Sequence, residues 1–211
     1  MIGRASFEAH DLACLRGGRI VFARLDFRVE AGALLVLRGA NGTGKSSLLR
    51  MMAGLIGPAH GALLWNGDDI ADDPDAHRAR TAYAGHSDAL KPALTVAEHL
   101  VFHARLRGQA TDKIGAALDA FALTKFADLP ARLLSQGQRK RVALARLIAA
   151  PSPLWLLDEP TNGLDADSTA RLESAIAAHR ENGGIVVAAT HLDFAGAEAI
   201  TLTLGERKAA A

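Results

Sequence analysis

Apolar positions follow two rhythms along the chain, and the change of rhythm marks its elements. Val21 to Val29 alternates imperfectly, as a half-buried strand does, and Leu34 to Leu37 is a short unbroken apolar run just ahead of Gly39. Ser46 to Leu55 then carries helical spacing until Gly57-Pro58, so this stretch reads strand, loop, helix. Further strands are expected at Ala62 to Trp65, Arg80 to Tyr83, Leu154 to Asp158, Ile185 to Thr190 and Ile200 to Leu204, with a helix near Ser168 to Arg180. Between Thr95 and Ala150 the strand signals vanish. Thr95-Val96-Ala97-Glu98 has the spacing of a capping box, Thr111 can cap a second helix, and Ser135 a third. The expected class is α/β, with a mostly parallel core sheet and a helical insertion.

Composition narrows this picture. The 211 residues suit one domain, or one domain with a subdomain, and bury a substantial core. A net charge of +1, with both signs interspersed, gives no strong field to draw in nucleic acid or anionic lipid. Cys14 is the one cysteine, so no internal disulfide is expected and a reducing compartment fits. The N-terminus from Met1 to His10 has an early acid and no apolar signal core, and reads as a cytosolic start. The longest apolar run, Val142 to Leu157, contains Arg146, Pro151 and Pro153 and falls short of the roughly 20 apolar residues of a spanning helix. Membrane work would therefore need a separate anchor.

Gly39-Ala40-Asn41-Gly42-Thr43-Gly44-Lys45-Ser46 matches the phosphate-loop pattern in full and lies between an expected strand and an expected helix. Its glycines let backbone N–H groups converge on a phosphate, Lys45 reaches the β- and γ-oxygens, and the Ser46 hydroxyl completes a Mg²⁺ shell. Asp158 and Glu159 end an apolar strand, where one carboxylate suits Mg²⁺-bound water and the other polarises an attacking water. On this reading Asp158 serves the metal and Glu159 is the general base. Thr190-His191 ends the next strand, and a parallel sheet delivers His191 to the same edge, placed to contact the γ-phosphate. Leu134-Ser135-Gln136-Gly137-Gln138 opens a helix and offers a second set of donors for an anion. That second grip is of use only if another copy of the chain supplies the nucleotide.

Taken in order along the chain, these residues resemble the ATP-binding cassette (ABC) ATPases: the phosphate loop, the signature from Leu134-Ser135, Asp158-Glu159, the aspartate loop Asn162-Gly163-Leu164-Asp165, and His191. The resemblance covers nearly the whole chain. It implies a phosphate-loop fold with an N-terminal antiparallel β part, a core at 1–86 and 151–211, and a helical subdomain at about 87–150. It implies ATP and Mg²⁺ as cofactors, with nucleotide contacts at Gly39 to Ser46 and at Ser47. It also implies a head-to-tail pair of cassettes, in which Ser135 and Gly137 of one meet the γ-phosphate held by Lys45 of the other. Closure then pulls membrane subunits.

Within the family, Leu12-Ala13-Cys14, Leu64-Trp65-x-Gly67, Tyr83-Ala84-Gly85-His86, Val142-Ala143-Leu144-Ala145-Arg146-Leu147 and Gly183-Gly184-Ile185-Val186 are similar to strings of the ATP-binding subunit of the cytochrome c maturation haem exporter. This implies a polytopic membrane partner (CcmB-like, with a CcmC-like component), no nucleic acid, and a peripheral place on the cytoplasmic face of the bacterial inner membrane. Two other readings stay open: a soluble cassette acting on another macromolecule, and an exporter subunit for a different substrate.

Three residues depart from the usual cassette pattern. His86 stands where most cassettes have a glutamine that touches Mg²⁺ or the attacking water, and an imidazole replaces an amide only while one nitrogen is unprotonated. Arg16 falls where an aromatic usually stacks on adenine; its guanidinium plane can stack too, with weaker base preference expected. Gln136 replaces a commoner glycine. The pair His99 and His103 has metal-ligating spacing but lacks a third ligand, and a partly exposed helix face is the plainer account. Arg139-Lys140-Arg141 reads as a solvated face, and Trp155 as core.

Overall fold

The structure, a computed structural model, describes residues 5–191 and 198–205. Residues 1–4, which open the stretch read as a cytosolic start, lie outside the described residues. Strands β1 (Ser6–Arg16) and β2 (Arg19–Glu30) form an antiparallel hairpin that turns at Gly17-Gly18, both at positive φ. With β4 (His60–Trp65) and β5 (Asp68–Asp69) they make an antiparallel sheet of order β2-β1-β4-β5. Sequence periodicity does not pick out β1, because its register shifts between Ala9 and Leu12 and again on to Leu15, with Asp11 at φ 46°. Each irregularity swaps the face that the next side chain takes.

The second sheet is parallel and contains β3 (Leu34–Arg38), β6 (Thr81–Ala84), β7 (Leu154–Asp158), β8 (Ile185–Ala189) and β9 (Ile200–Thr203), in the order β6-β7-β8-β3-β9. Its central strands are apolar on both faces, as a doubly covered sheet requires. Alternate residues feed two cores. Leu35, Leu37, Leu156 and Val187 pack with Phe7 and with α1 (Lys45–Met52), toward the antiparallel sheet. Leu34, Val36, Trp155, Leu157 and Val186 pack beneath α5 (Gln136–Ala149) and α6 (Ala166–Glu181). The same core includes Val96 and Leu100 of α3 (Val96–Leu106) and Ala117 and Leu118 of α4 (Ile114–Ala120). Each fully buried leucine or valine contributes about 1.5–3 kcal/mol.

Local chemistry sets the element ends. Helix α1 stops at Met52, ahead of Gly57-Pro58, because Gly54 turns left-handed at φ 66°. There Gly54 N–H bonds the Met51 carbonyl and Leu55 N–H the Arg50 carbonyl, the paired bonds of a Schellman end. Thr95 and Ser135 both close capping boxes, with Glu98 and Gln138. Thr111 does not cap: α4 opens after Lys113 without a side-chain cap, and Thr111 supplies only its carbonyl, to Ile114 N–H. Helix α2 (Pro74–Arg80) escapes a periodicity reading because its one buried residue is His77. Its signal is the Asp73 cap followed by Pro74 at the first helical position. His77 holds it in place by donating from Nε2 to the Met52 carbonyl at 2.7 Å and stacking on Phe7.

Candidate nucleotide site

The phosphate loop joins β3 to α1, and two of its glycines are required by geometry. Gly39 has φ 137°, and a Cβ there would lie 2.5 Å from the Leu204 carbonyl oxygen; Gly44 has φ 101°, and its Cβ would meet Val21 at the same distance. Gly44 is also the N-cap of α1 and brings no side-chain acceptor, so the first-turn amides are left open to an anion. Lys45 is buried and donates from Nζ to the Gly39 carbonyl at 2.7 Å and the Ala40 carbonyl at 3.2 Å. Thr43 Oγ1 donates to the Ala40 carbonyl at 2.9 Å.

Register brings the remaining groups level with this loop. Asp158 pairs with Ala189 across β7 and β8, and Leu37 pairs with the same Ala189 across β3, so three strands end at one edge. Asp158 is 3% exposed; its Oδ1 accepts from Ser46 Oγ at 3.0 Å, and its Oδ2 faces Tyr83 Oη at 3.5 Å. Burial, and then the Asp158 charge, push the Tyr83 phenol up, while a bond to Arg50 pulls the other way. Glu159 sits at φ 46°, a left-handed conformation costly for a non-glycine residue, and is held there by its N–H bond to the Ala189 carbonyl at 2.9 Å. Glu159 Oε1 lies 3.6 Å from His191 Nε2, with the imidazole well exposed and the carboxylate mostly covered. Arg38 Nη1 donates to the Thr190 carbonyl at 2.9 Å, tying the exit of β8 to β3.

A cleft of about 360 Å³ gathers Arg16, Val21, Asn41, Gly42, Gly44, Lys45, Ser46, Ser47, Asp158 and Glu159. Gly39, Ala40 and Thr43 belong to the loop behind it, and His191 is joined to it through Glu159. His86 lies two residues past the end of β6, exposed and outside the cleft lining. Ser135 and Gly137 also lie outside it. Gly137 packs against the aspartate loop of its own chain, where an added Cβ would stand 3.1 Å from the Gly163 carbonyl oxygen. Asp165 caps α6 by accepting from Ser168 N–H at 2.8 Å.

Two sequence readings need correction, and two residues were missed. Arg139-Lys140-Arg141 is a solvated face only in part: Arg139 is exposed and bonds the Ala131 carbonyl, Arg141 is half-buried on the Phe121 carbonyl, and Lys140 is 6% exposed. Burial pushes the Lys140 ammonium down, while Asp88, Asp158 and Glu159 pull it up. Its signal was its place on the stripe Lys140, Ala143, Leu144, Leu147, which is the buried face of α5. His99 is not on an exposed face either: it is 4% exposed, and its Nε2 bonds the Lys91 carbonyl at 2.9 Å. Among the described residues no group of three or more His, Cys, Asp or Glu gathers as a metal site. Tyr83 beside Asp158 had no motif to announce it, whereas Val21 in the cleft follows from strand alternation. Trp155 and Cys14 are buried, and Cys14 is a free thiol.

Residues 22–162 match the family described as ABC transporter. The chain belongs to that family. As an ABC family member it is an ATP-binding ATPase, and its helices include none long and apolar enough to cross a membrane among the described residues. It is 56% identical over 194 residues to the cytochrome c biogenesis ATP-binding export protein CcmA of Paramagnetospirillum magneticum, covering 90% of this chain and 89% of that protein. The protein of the same name from Rhodospirillum rubrum is 52% identical over 200 residues, covering 95% and 86%. A solved ATP-binding subunit of an ABC transporter superposes with a TM-score of 0.80 at 28% identity, over 88% of this chain and 80% of that one.

Proposed function

We propose that this ABC ATPase energises export in cytochrome c maturation, as the cytoplasmic-face subunit of an inner-membrane haem exporter. The observation that carries the ATPase half is the convergence of Lys45, Ser46, Asp158 and Glu159 on one cleft, with His191 beside Glu159. The export half rests on the names of relatives similar over most of the chain. Two copies close head to tail, and Ser135 and Gly137 of each complete the γ-phosphate site of the other. The strand-end carboxylate Asp158 and the Ser46 hydroxyl are hard oxygen donors 3.0 Å apart and fit Mg²⁺, which would supply charge neutralisation at the phosphates.

In this reading Glu159 takes a proton from water as the water oxygen bonds to the γ-phosphorus. The bond from that phosphorus to the bridging oxygen breaks, and ADP and phosphate leave. Lys45 and the α1 amides hold the phosphates, and His191 donates to the γ-phosphate. His86 orients water or the metal shell, and Arg16 stacks on the base. A polytopic membrane subunit (CcmB-like, with a CcmC-like component) receives the closing motion, and haem is the cargo. The test is Glu159→Gln: ATP should drive it to a stable dimer, and cells carrying it should stop maturing c-type cytochromes. A variant that stays monomeric with ATP overturns the sandwich; normal cytochrome c with an inactive ATPase overturns the export role.

A further inference from the structure

Asp158 is a buried carboxylate, and a buried charge has to be held by donors. Two hydroxyls from different elements reach it. Ser46 Oγ, from α1, donates to Oδ1 at 3.0 Å, and Tyr83 Oη, from β6, donates to Oδ2 at 3.5 Å. The two carboxylate oxygens are thus held from opposite neighbours, one of which has no part in the phosphate loop.

Strand register puts Tyr83 in place. It pairs with Leu156 across β6 and β7, and Asp158 lies two residues farther along β7, on the same face as Leu156. From that diagonal position a long aromatic side chain can span the gap. Gly85 then lies against the ring. Its backbone is not left-handed, so the chain's path does not ask for glycine there; space does. A Cβ on Gly85 would stand 3.1 Å from Tyr83 Cε1 and 3.2 Å from both Cζ and Oη, tighter than side chains ordinarily pack. Arg50 of α1 also bonds the phenol. Arginine only donates and an ionised carboxylate only accepts, so the phenol oxygen takes the Arg50 N–H and keeps its own O–H for Asp158.

We propose that Tyr83 is a positioning residue for the metal carboxylate: its phenol fixes Oδ2 of Asp158, and Gly85 fixes the phenol. This role rests on the reading of Asp158 and Ser46 as the Mg²⁺ residues of the ATPase. Once Ser46 turns its hydroxyl to the metal, Asp158 loses the 3.0 Å bond on Oδ1, and Tyr83 is the hydroxyl that keeps the carboxylate from swinging. A hydrogen bond from behind orients a metal-binding carboxylate, and losing such a bond typically costs about 10–100-fold in metal affinity. The 3.5 Å contact is about half an ångström beyond the usual O–H···O range, so the lower end of that span applies. A ring that only filled the core would do so equally well without its hydroxyl.

The experiment compares the full chain with Tyr83→Phe, reading the affinity of a fluorescent, non-hydrolysable ATP analogue in Mg²⁺ and in EDTA. The affinity gained from Mg²⁺ should fall about tenfold in Tyr83→Phe, while the affinity in EDTA and the Tm match those of the unsubstituted chain. Gly85→Ala, which displaces the ring without removing its hydroxyl, should lower the same gain about threefold. The double variant should lose no more than Tyr83→Phe alone, because both changes act through one contact. Tyr83 is the single tyrosine of the sequence, so 3-fluorotyrosine marks it alone, and its ¹⁹F signal should move when Mg²⁺ joins the bound analogue. A full Mg²⁺ gain in Tyr83→Phe, or a fluorine signal that ignores the metal, overturns the positioning role and leaves the ATPase reading standing. Additive losses in the double variant overturn the part assigned to Gly85. If the unsubstituted chain gains no affinity from Mg²⁺, the metal reading of Asp158 and Ser46 falls, and the role of Tyr83 with it.

Discussion

Two helix N-termini in this chain face opposite fates. Helix α1 begins at a left-handed glycine that gives it no side-chain cap, so its amides stay available; α5 begins at Ser135, whose Oγ accepts from Gln138 N–H at 3.3 Å while Ser135 N–H donates to Gln138 Oε1 at 2.7 Å. The first is held open by sequence and the second closes on itself. The difference teaches that the phosphate loop keeps its amides open within one copy, whereas the signature turn satisfies itself and, in the proposed head-to-tail pair, would exchange that cap for the γ-phosphate held by the other copy.

The largest break in that contrast should come from Lys45→Ala, which removes the only loop side chain that reaches both Gly39 and Ala40 carbonyls; hydrolysis should fall about a hundredfold or more. Nucleotide binding to the monomer should fall with it, as titration calorimetry would record. Ser135→Ala should act differently. It removes the cap of α5, costing about 1 kcal/mol in urea unfolding, and slows hydrolysis while leaving the monomer's ATP affinity unchanged. A weakened monomer affinity would show that the two termini are not separate devices.

Acid should expose a third, smaller effect away from both termini. His179 stacks on Trp155 at 3.9 Å between centroids, and burial holds it at about 4 instead of 6.5. The folded chain keeps this ring neutral while the unfolded chain protonates it. Its contribution is therefore full above pH 6.5 and is lost as pH falls from 6.5 toward 4, at up to roughly 1.4 kcal/mol per pH unit. His179→Gln should reduce the drop in Tm between pH 7 and pH 5 by a few degrees, read by calorimetric scans. The smallest effect belongs to Arg16→Ala, which should weaken ATP binding only severalfold and leave the preference between ATP and GTP slight; unaltered affinity would make Arg16 a solvated side chain.

How far the sequence was legible depends on the range of the interaction. The parallel strands, the phosphate loop, the Thr95 capping box and the Ser135 cap are local patterns with local causes, and they stand where expected within a few residues. The hairpin strand β1 was obscured by its own register shifts, and α2 by its dependence on a single buried histidine bonded to Met52, far along the chain. Charge was the least legible quantity. Arg139, Lys140 and Arg141 look alike in a linear reading, yet only Arg139 is exposed, while Arg141 reaches the Phe121 carbonyl and Lys140 lies on a buried stripe. The 3.6 Å approach of His191 to Glu159 depends on parallel register that topology alone supplies.

The Lys45 ammonium, seated on two loop carbonyls, has a kinetic consequence. The loop's own cation bridges its curve through the Gly39 and Ala40 carbonyls, so the chain itself supplies a contact that supports the loop's shape. In the proposed role, Lys45 would exchange these carbonyls for phosphate oxygens. Stopped-flow capture that rises linearly with ATP concentration is then expected, and a plateau would show that the loop must first rearrange.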